Sequence, residues 1–411
     1  MDSRDIEEIV SEVLGKIGVS SNAPEAAEKS PPQAAPKIMT TGKRAGVFPD
    51  ADSAVAAARE GFLQLRKQGF EGRAKVIEIV KSMCAARADE WGRIELDETG
   101  IGRIDHKIAK LHALGTVPGV EWLKPYGMSG DHGISMEENS PFGVVAAVTP
   151  VTHSIPTLSG NVINIVAAGN AVVFNAHPGG AKCAAVAVDA FNKEIERQTG
   201  IRNLITIIEE PSLESFNALC ASEGVDLICV TGGPGVVKAA MQSGKRAICA
   251  GPGNPPVVVD VCADLEKAAG DIVLGGAYDN NLLCIGEKQV FVLEKVFEEF
   301  SAAFEKAGGY KISAKQLDAL TGEAFTTSKD AGGCSHPVLN REFVGADPAK
   351  LARTLRSGGG VALMAVGAFL VARGQIFLGF SLIGAGLSRL GGGLGHAGGP
   401  FAGHHGPGRG R

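Results

Sequence analysis

From Gly46 to Leu293 the chain alternates short apolar runs with longer stretches of helical periodicity, and that rhythm limits the folds open to it. Gly143–Val148, Ala171–Phe174, Leu204–Ile208, Asp226–Val230 and Val257–Val261 read as strands. Ala54–Lys67, Arg73–Arg93, Leu158–Val166 and Ala181–Arg197 read as helices. Nearly continuous apolar strands separated by helices predict an α/β fold, with a mostly parallel sheet covered on both faces. Aromatic residues make up only 5% of the chain, whereas Ala, Gly and Val abound, which suits closely packed layers. At 411 residues the chain can bury one large core or two to three domains.

Both ends depart from this rhythm. Residues 1–18 place Ile6, Ile9, Val10, Val13, Leu14 and Ile17 at helical spacing, with acidic residues on the other face, which predicts a short amphipathic helix. So short a helix is marginal alone in water and needs a docking surface, on its own domain or on a partner. Residues 19–40 are rich in Pro, Ala, Ser and Glu and read as a flexible linker. No basic segment followed by an apolar one opens the chain, so a secretory leader is not expected. After Asp347 there is no acidic residue, while Lys350, Arg353, Arg356, Arg373, Arg389, Arg409 and Arg411 remain. Residues 358–387 are almost wholly apolar, interrupted by Arg373-Gly374-Gln375. They are expected to contact a membrane as one imperfect helix or a shallow hairpin, the alternative being a segment hidden in a soluble core.

The net charge of -5 gives no general attraction for nucleic acid. Eight cysteines occur without a CxxC pair or a Cys/His cluster, which points to reduced cytoplasmic thiols and to no metal site. Cys284 stands out because it lies in the polar loop Asp279-Asn280-Asn281-Leu282-Leu283-Cys284-Ile285-Gly286-Glu287-Lys288, just before the apolar strand Gln289–Leu293. A cysteine so placed can be a reactive thiolate, although most free cysteines are small buried hydrophobes. Thr231-Gly232-Gly233-Pro234-Gly235 follows a strand and opens a helix, where backbone N–H groups can face phosphate. Ala250-Gly251-Pro252-Gly253-Asn254 is a second glycine turn, and by itself reads equally as a plain loop.

Taken in order, Thr149–His153, Asn175–Pro178, Gly232–Val236, Gly251–Asn254 and Cys284 resemble the aldehyde dehydrogenase superfamily. Within it the chain is similar to the CoA-acylating propionaldehyde and acetaldehyde dehydrogenases of bacterial microcompartments, such as those of propanediol degradation. Pro141–Val145, Ala167–Pro178, Asp97–Arg103 and Asp279–Lys288 carry that likeness. The resemblance implies a Rossmann-like NAD-binding domain and a catalytic domain, used for oxidation of a short-chain aldehyde with NAD and coenzyme A. Propionaldehyde is the first choice and acetaldehyde the second. Cys284 is implied as the nucleophile, with its own backbone N–H as one oxyanion donor. The family's second donor is an Asn, and His153 stands at that position here. His153 is expected either to donate through a ring nitrogen or only to shape the cofactor site.

By the same resemblance Thr149, Pro150 and Val151 approach the nicotinamide ribose. Asn175, Ala176, His177 and Pro178 flank an adenosine, and Gly232, Gly233 and Val236 approach the pyrophosphate. Gly251 and Gly253 replace the turn that carries a general-base glutamate in hydrolytic relatives, so a thiol is expected in place of water as the acyl acceptor. Residues 1–18 then read as an encapsulation helix for a microcompartment shell or co-cargo protein, which places the chain in the lumen of a cytoplasmic microcompartment, and the intact family implies a homo-oligomer. The expected organisation is a helix over 1–18, a linker over 19–40, an NAD/CoA-binding domain over 41–261, an incomplete catalytic domain over 262–355 and an unrelated tail over 356–411. The likeness stops near residue 355, so a truncated or fused product that only binds nucleotide or docks to a shell is the competing expectation.

Overall fold

The computed structural model describes residues 44–329 and 335–345. The expected helix over residues 1–18, the linker over 19–40 and the apolar tail from residue 356 lie outside the described residues.

The chain enters on β1 (Val47–Phe48) and then α1 (Ala51–Ala86), which is capped by the Asp50 carboxylate accepting from the Ser53 N–H and is kinked at Gly69. That kink accounts for the two helices expected on either side of it. The second was expected to run to Arg93, but α1 closes at Ala86, and α2 (Ala88–Thr99) starts beyond the non-helical Arg87. The turn at Arg87 redirects the chain so that Trp91, fully buried, meets Phe191 edge to face at 5.2 Å. A short α3 (Ile104–Ala113) follows. Next comes an antiparallel hairpin of β2 (Tyr126–Gly130) and β3 (Gly133–Glu137), in which every residue is exposed. Tyr126, Met128, Ile134 and Met136 alternate with small or polar residues, but none of them is buried, and the strand reading passed over this hairpin.

The main sheet is built from β4 (Val144–Thr149), β5 (Ala171–Ala176), β6 (Ile205–Ile208), β7 (Leu227–Thr231), β8 (Ala247–Ala250) and β1. Its order is β1-β6-β5-β4-β7-β8, and every pairing is parallel. Every residue of β4 and β5 is buried, as the unbroken apolar runs require of central strands covered on both faces. The crossovers are α4 (Ser154–Ala167), α5 (Ala181–Thr199), α6 (Leu213–Ala221) and α7 (Pro234–Gln242). From β4 the chain steps through β5 to β6 on one side, then returns to place β7 on the other side of β4. The topological switch point therefore lies between β4 and β7, and the crevice beyond their carboxyl ends is where open parallel sheets bind ligands.

Beyond this sheet, β9 (Pro256–Val259) pairs in parallel with β10 (Gln289–Val292). Helices α8 (Leu265–Ala277) and α9 (Phe297–Lys306) cover that pair through Val259, Ala269, Ile272 and Phe300. β9 stops two residues short of the expected Val261, because the Asp260 carboxylate accepts from the Val261 N–H and turns the chain. α10 (Ala314–Ala324) then leads into antiparallel β11 (Phe325–Lys329) and β12 (Ser335–Leu339). Among the described residues no helix is long and apolar enough to cross a membrane.

Candidate active site

A cleft of 690 Å³ opens at the switch point. Thr149, Pro150, Val151, Thr152 and His153 reach it from the end of β4, Asn175, Ala176, His177 and Pro178 from the end of β5, and Thr231, Gly232, Gly233 and Val236 from the end of β7 and the start of α7. Gly251 and Pro252 follow β8, and Leu282 and Cys284 come from the loop before β10. All the residues expected to bind the cofactor line this one space except Gly253, which stands behind it. A Cβ on Gly253 would collide with the Cys284 carbonyl oxygen, so glycine is the residue that lets the turn after β8 lie flat against the Cys284 loop. Leu213, Phe216, Leu339 and Val344 add an apolar wall that the sequence reading did not name.

The Cys284 loop is held in an unusual backbone conformation. Asp279, Asn280 and Asn281 take φ values of 50°, 53° and 57°, three left-handed residues in succession. Such angles cost L-residues about 1–2 kcal/mol each, with Asn and Asp the least penalised side chains. The surroundings hold them there. The Asn281 amide donates to the Gly276 carbonyl, and Asn280 Nδ2 donates to the Gly345 carbonyl at 3.0 Å. The Asp279 N–H donates to His106 Nδ1 at 2.7 Å, and the Arg103 N–H donates to Asp279 Oδ1 at 2.7 Å. Gly102, with φ of +89°, lies so close to that carboxylate that any Cβ would strike it. Gly102 and Arg103 of the Asp97–Arg103 motif thus grip the base of the Cys284 loop. On the far side, buried Lys288 donates to the Leu283 and Gly286 carbonyls at 2.9 and 2.8 Å, closing the turn around Cys284.

His153 is buried at the mouth of α4. Its Nδ1 lies 2.9 Å from Lys110 Nζ of α3, and the same ammonium donates to Asp279 Oδ2 at 2.5 Å. Burial pushes the Lys110 ammonium below its ordinary value, with the Asp279 charge opposing that shift. One turn further into the protein, Glu95 and Lys107 form a buried ion pair at 2.8 Å. Glu95 Oε2 also accepts from the Ile155 N–H at 3.0 Å, which anchors the first turn of α4 behind His153. Of these partners only Asp279 belonged to a motif named from the sequence; Lys110, Glu95 and Lys107 carried no signal there.

The cleft wall is mostly apolar. Among the described residues lining the cleft, none is Lys, Arg, Asp or Glu. The start of α7, where Gly233 leaves space and Pro234 occupies the first turn, presents backbone N–H groups of the kind that can face a phosphate. Asn175 is held by Ser215 Oγ, which donates to Asn175 Oδ1 at 2.6 Å. Both glutamates that follow β6, Glu209 and Glu210, are exposed just before the lining residues Ser212 and Leu213. Without a carboxylate on the wall, no described side chain there can serve as a carboxylate base for an attacking water.

Cys84 and Cys183 are fully buried, unlike Cys284. Burial pushes the Cys84 thiol up to about 11 and raises Cys183 further, so both are inert at neutral pH. Cys284 is half-buried and faces the cleft. Among the described residues no group of His, Cys, Asp and Glu side chains is placed to hold a metal ion.

The sequence model of the aldehyde dehydrogenase family matches residues 19–319. An acetylating acetaldehyde dehydrogenase of Salmonella typhimurium is 36% identical over 358 residues, covering 86% of this chain and 72% of the relative. The chain belongs to the aldehyde dehydrogenase family. Among solved structures, a propionaldehyde dehydrogenase from the fucose utilisation microcompartment of Clostridium phytofermentans superimposes with a TM-score of 0.71. Its sequence identity is 37%, with 78% of this chain and 71% of that one covered. The Rhodopseudomonas palustris propionaldehyde dehydrogenase, solved with coenzyme A bound and a cysteine acylated, gives a TM-score of 0.70 at 34% identity, with 77% and 71% covered. In this aldehyde dehydrogenase the parallel sheet and its switch-point cleft are those that the resemblance implies. The sequence motifs located the cleft, and only the structure disclosed the Lys110, Asp279 and Glu95 contacts beneath it.

Proposed function

We propose that this chain oxidises a short-chain aldehyde, propionaldehyde by first choice and acetaldehyde by second, with NAD+ and coenzyme A to the acyl-CoA. The observation that carries this reading is the convergence of Cys284 with both glycine turns in a single cleft that offers no carboxylate among its described lining residues. The Cys284 thiolate adds to the aldehyde carbonyl, forming a C–S bond and an oxyanion. The Cys284 N–H and His153 are the donors nearest in the chain's own design for that charge. Collapse of the oxyanion expels hydride and leaves a thioester on Cys284. NAD+ bound along Thr149–Val151, Asn175–Pro178 and Gly232–Val236 accepts the hydride, and the coenzyme A thiol accepts the acyl group. Cys284 leaves as thiolate, so aldehyde, NAD+ and thiol become acyl-CoA, NADH and a proton.

The purified full chain, given propionaldehyde, NAD+ and coenzyme A, forms NADH and propionyl-CoA in equal amounts. Omitting coenzyme A limits NADH to a single burst. Steady release of free propionate without coenzyme A would overturn the acylating assignment. The lack of Lys and Arg among the described residues of the cleft wall, with Glu209 and Glu210 beside it, supports NAD+ over its 2′-phosphorylated form.

The proposal extends to the division of the chain into a cofactor domain over 41–261 and catalytic residues over 262–355. The six-stranded sheet, whose last strand β8 ends at Ala250, supports the first, whereas β9 (Pro256–Val259) pairs with β10 outside that sheet, so the second layer begins before the expected boundary at 261. The amphipathic pattern of residues 1–18, together with a microcompartment relative, supports docking on a shell or co-cargo protein inside the microcompartment lumen. Deleting residues 1–18 is expected to abolish co-sedimentation with purified microcompartments while leaving turnover intact. Unchanged co-sedimentation would remove that role. The apolar composition of residues 358–387 supports a membrane contact. Flotation with liposomes that persists after removal of residues 356–411 would eliminate it.

A further inference from the structure

The donor offered by His153 depends on which ring nitrogen carries the proton, and the surroundings of Nδ1 decide that. Lys110 Nζ lies 2.5 Å from Asp279 Oδ2, ion-pair geometry that holds the amine as an ammonium against the opposing effect of burial. An ammonium has three N–H donors and no acceptor. Its 2.9 Å contact with His153 Nδ1 is therefore a hydrogen bond in which Nδ1 accepts. A neutral imidazole that accepts at Nδ1 has its proton on Nε2. A doubly protonated ring would set two cations against each other at hydrogen-bond distance. The neighbouring charges that bear on Lys110 are Asp279, Lys107 and Glu95, and the last two are already paired with each other.

We propose that Lys110 is a positioning residue that fixes His153 in its Nε2–H tautomer, so that the ring presents a donor, not a lone pair, to the oxygen that becomes negative when Cys284 adds to the aldehyde. In that step the C–S bond forms and the carbonyl π pair moves to oxygen. Nε2–H shares its proton in a hydrogen bond and does not transfer it. The inference rests on the reading of Cys284 as nucleophile given above. It also explains why one cation spans two elements. By gripping Asp279, Lys110 ties the left-handed run at the head of the Cys284 loop to the ring that faces the same cleft. An imidazole at this position needs such a partner, because either nitrogen can hold the proton, whereas a carboxamide always has an N–H to give.

Two measurements test this. In the full chain labelled with 15N-histidine, with the His153 signals assigned by their loss in His153→Gln, long-range 1H–15N spectra distinguish a protonated from an unprotonated ring nitrogen. The expected pattern is a protonated Nε2 and an unprotonated Nδ1, and a proton on Nδ1 overturns the proposal. This measurement uses the unaltered side chains and needs no turnover, so it stands even if the Cys284 reading fails. That reading is judged separately by NADH formation in the wild-type chain. In kinetics, Lys110→Met is expected to lower kcat about 100-fold, the scale of one lost oxyanion donor, with KM for NAD+ little changed. The same change made on His153→Asn is expected to cost about tenfold or less, since only the Asp279 contact is then lost. An equal loss in both backgrounds would show that Lys110 acts on the loop alone and sink the tautomer role.

Discussion

Replacing Cys284 with alanine is expected to lower kcat for aldehyde oxidation by about 10⁴-fold or more, about 5.5 kcal/mol of transition-state stabilisation. The side chain is half-buried and the loop is held by backbone and Asn contacts that do not involve sulfur, so the variant should fold and melt as the parent does. The chemistry is lost because the thioester has no sulfur on which to form. Intact-mass measurement after incubation with propionaldehyde and NAD+, in the absence of coenzyme A, should show the added acyl group on the parent and none on Cys284→Ala. A variant that kept full turnover would assign the nucleophile elsewhere. Cys84 and Cys183 cannot substitute, because burial keeps both thiols protonated.

The second large effect is on stability. Glu95→Ala leaves the Lys107 ammonium buried beside no countercharge and removes the acceptor for the Ile155 N–H. Breaking a buried pair from one side costs about 3–5 kcal/mol, because the remaining charge stays desolvated. Chemical denaturation of the variant should therefore show its unfolding free energy lowered by that amount. Replacing both partners with methionine is expected to recover about half of the loss, leaving about 1–3 kcal/mol for the orphaned N–H. A single variant as stable as the parent would mean that Lys107 finds water or another partner. Because Ile155 opens α4 two residues after His153, Glu95→Ala should also lower turnover in the fraction that remains folded.

The elements that position the cleft were legible for a simple reason. β4 and β5 are buried on both faces, so their sequences are unbroken apolar runs, and a run such as Ala171-Val172-Val173-Phe174 has few other ways to satisfy its surface. Glycine turns at the ends of strands are visible too, because close backbone approach excludes every side chain, as Gly253 shows against Cys284. The β2–β3 hairpin was passed over although Tyr126, Met128, Ile134 and Met136 alternate with small or polar residues, because its strands are short and rich in Gly and Ser, and its alternating face packs on nothing among the described residues. Lys110 was hidden for the opposite reason. On a ten-residue amphipathic helix a lysine reads as part of the solvated face, and its burial comes from Asp279 and His153, which are far away in the chain.

The sequence by itself determined the α/β sheet, the order of the ligand-facing turns and the cysteine at their meeting point, because each of these is written in local period, local turn chemistry or a contiguous motif. Tertiary structure alone decided how that cysteine is held and which proton His153 carries. Charges separated by up to 169 positions, from Lys110 to Asp279, meet only after the helices dock on the sheet, and at 2.5 Å in a buried site they fix what no local pattern records.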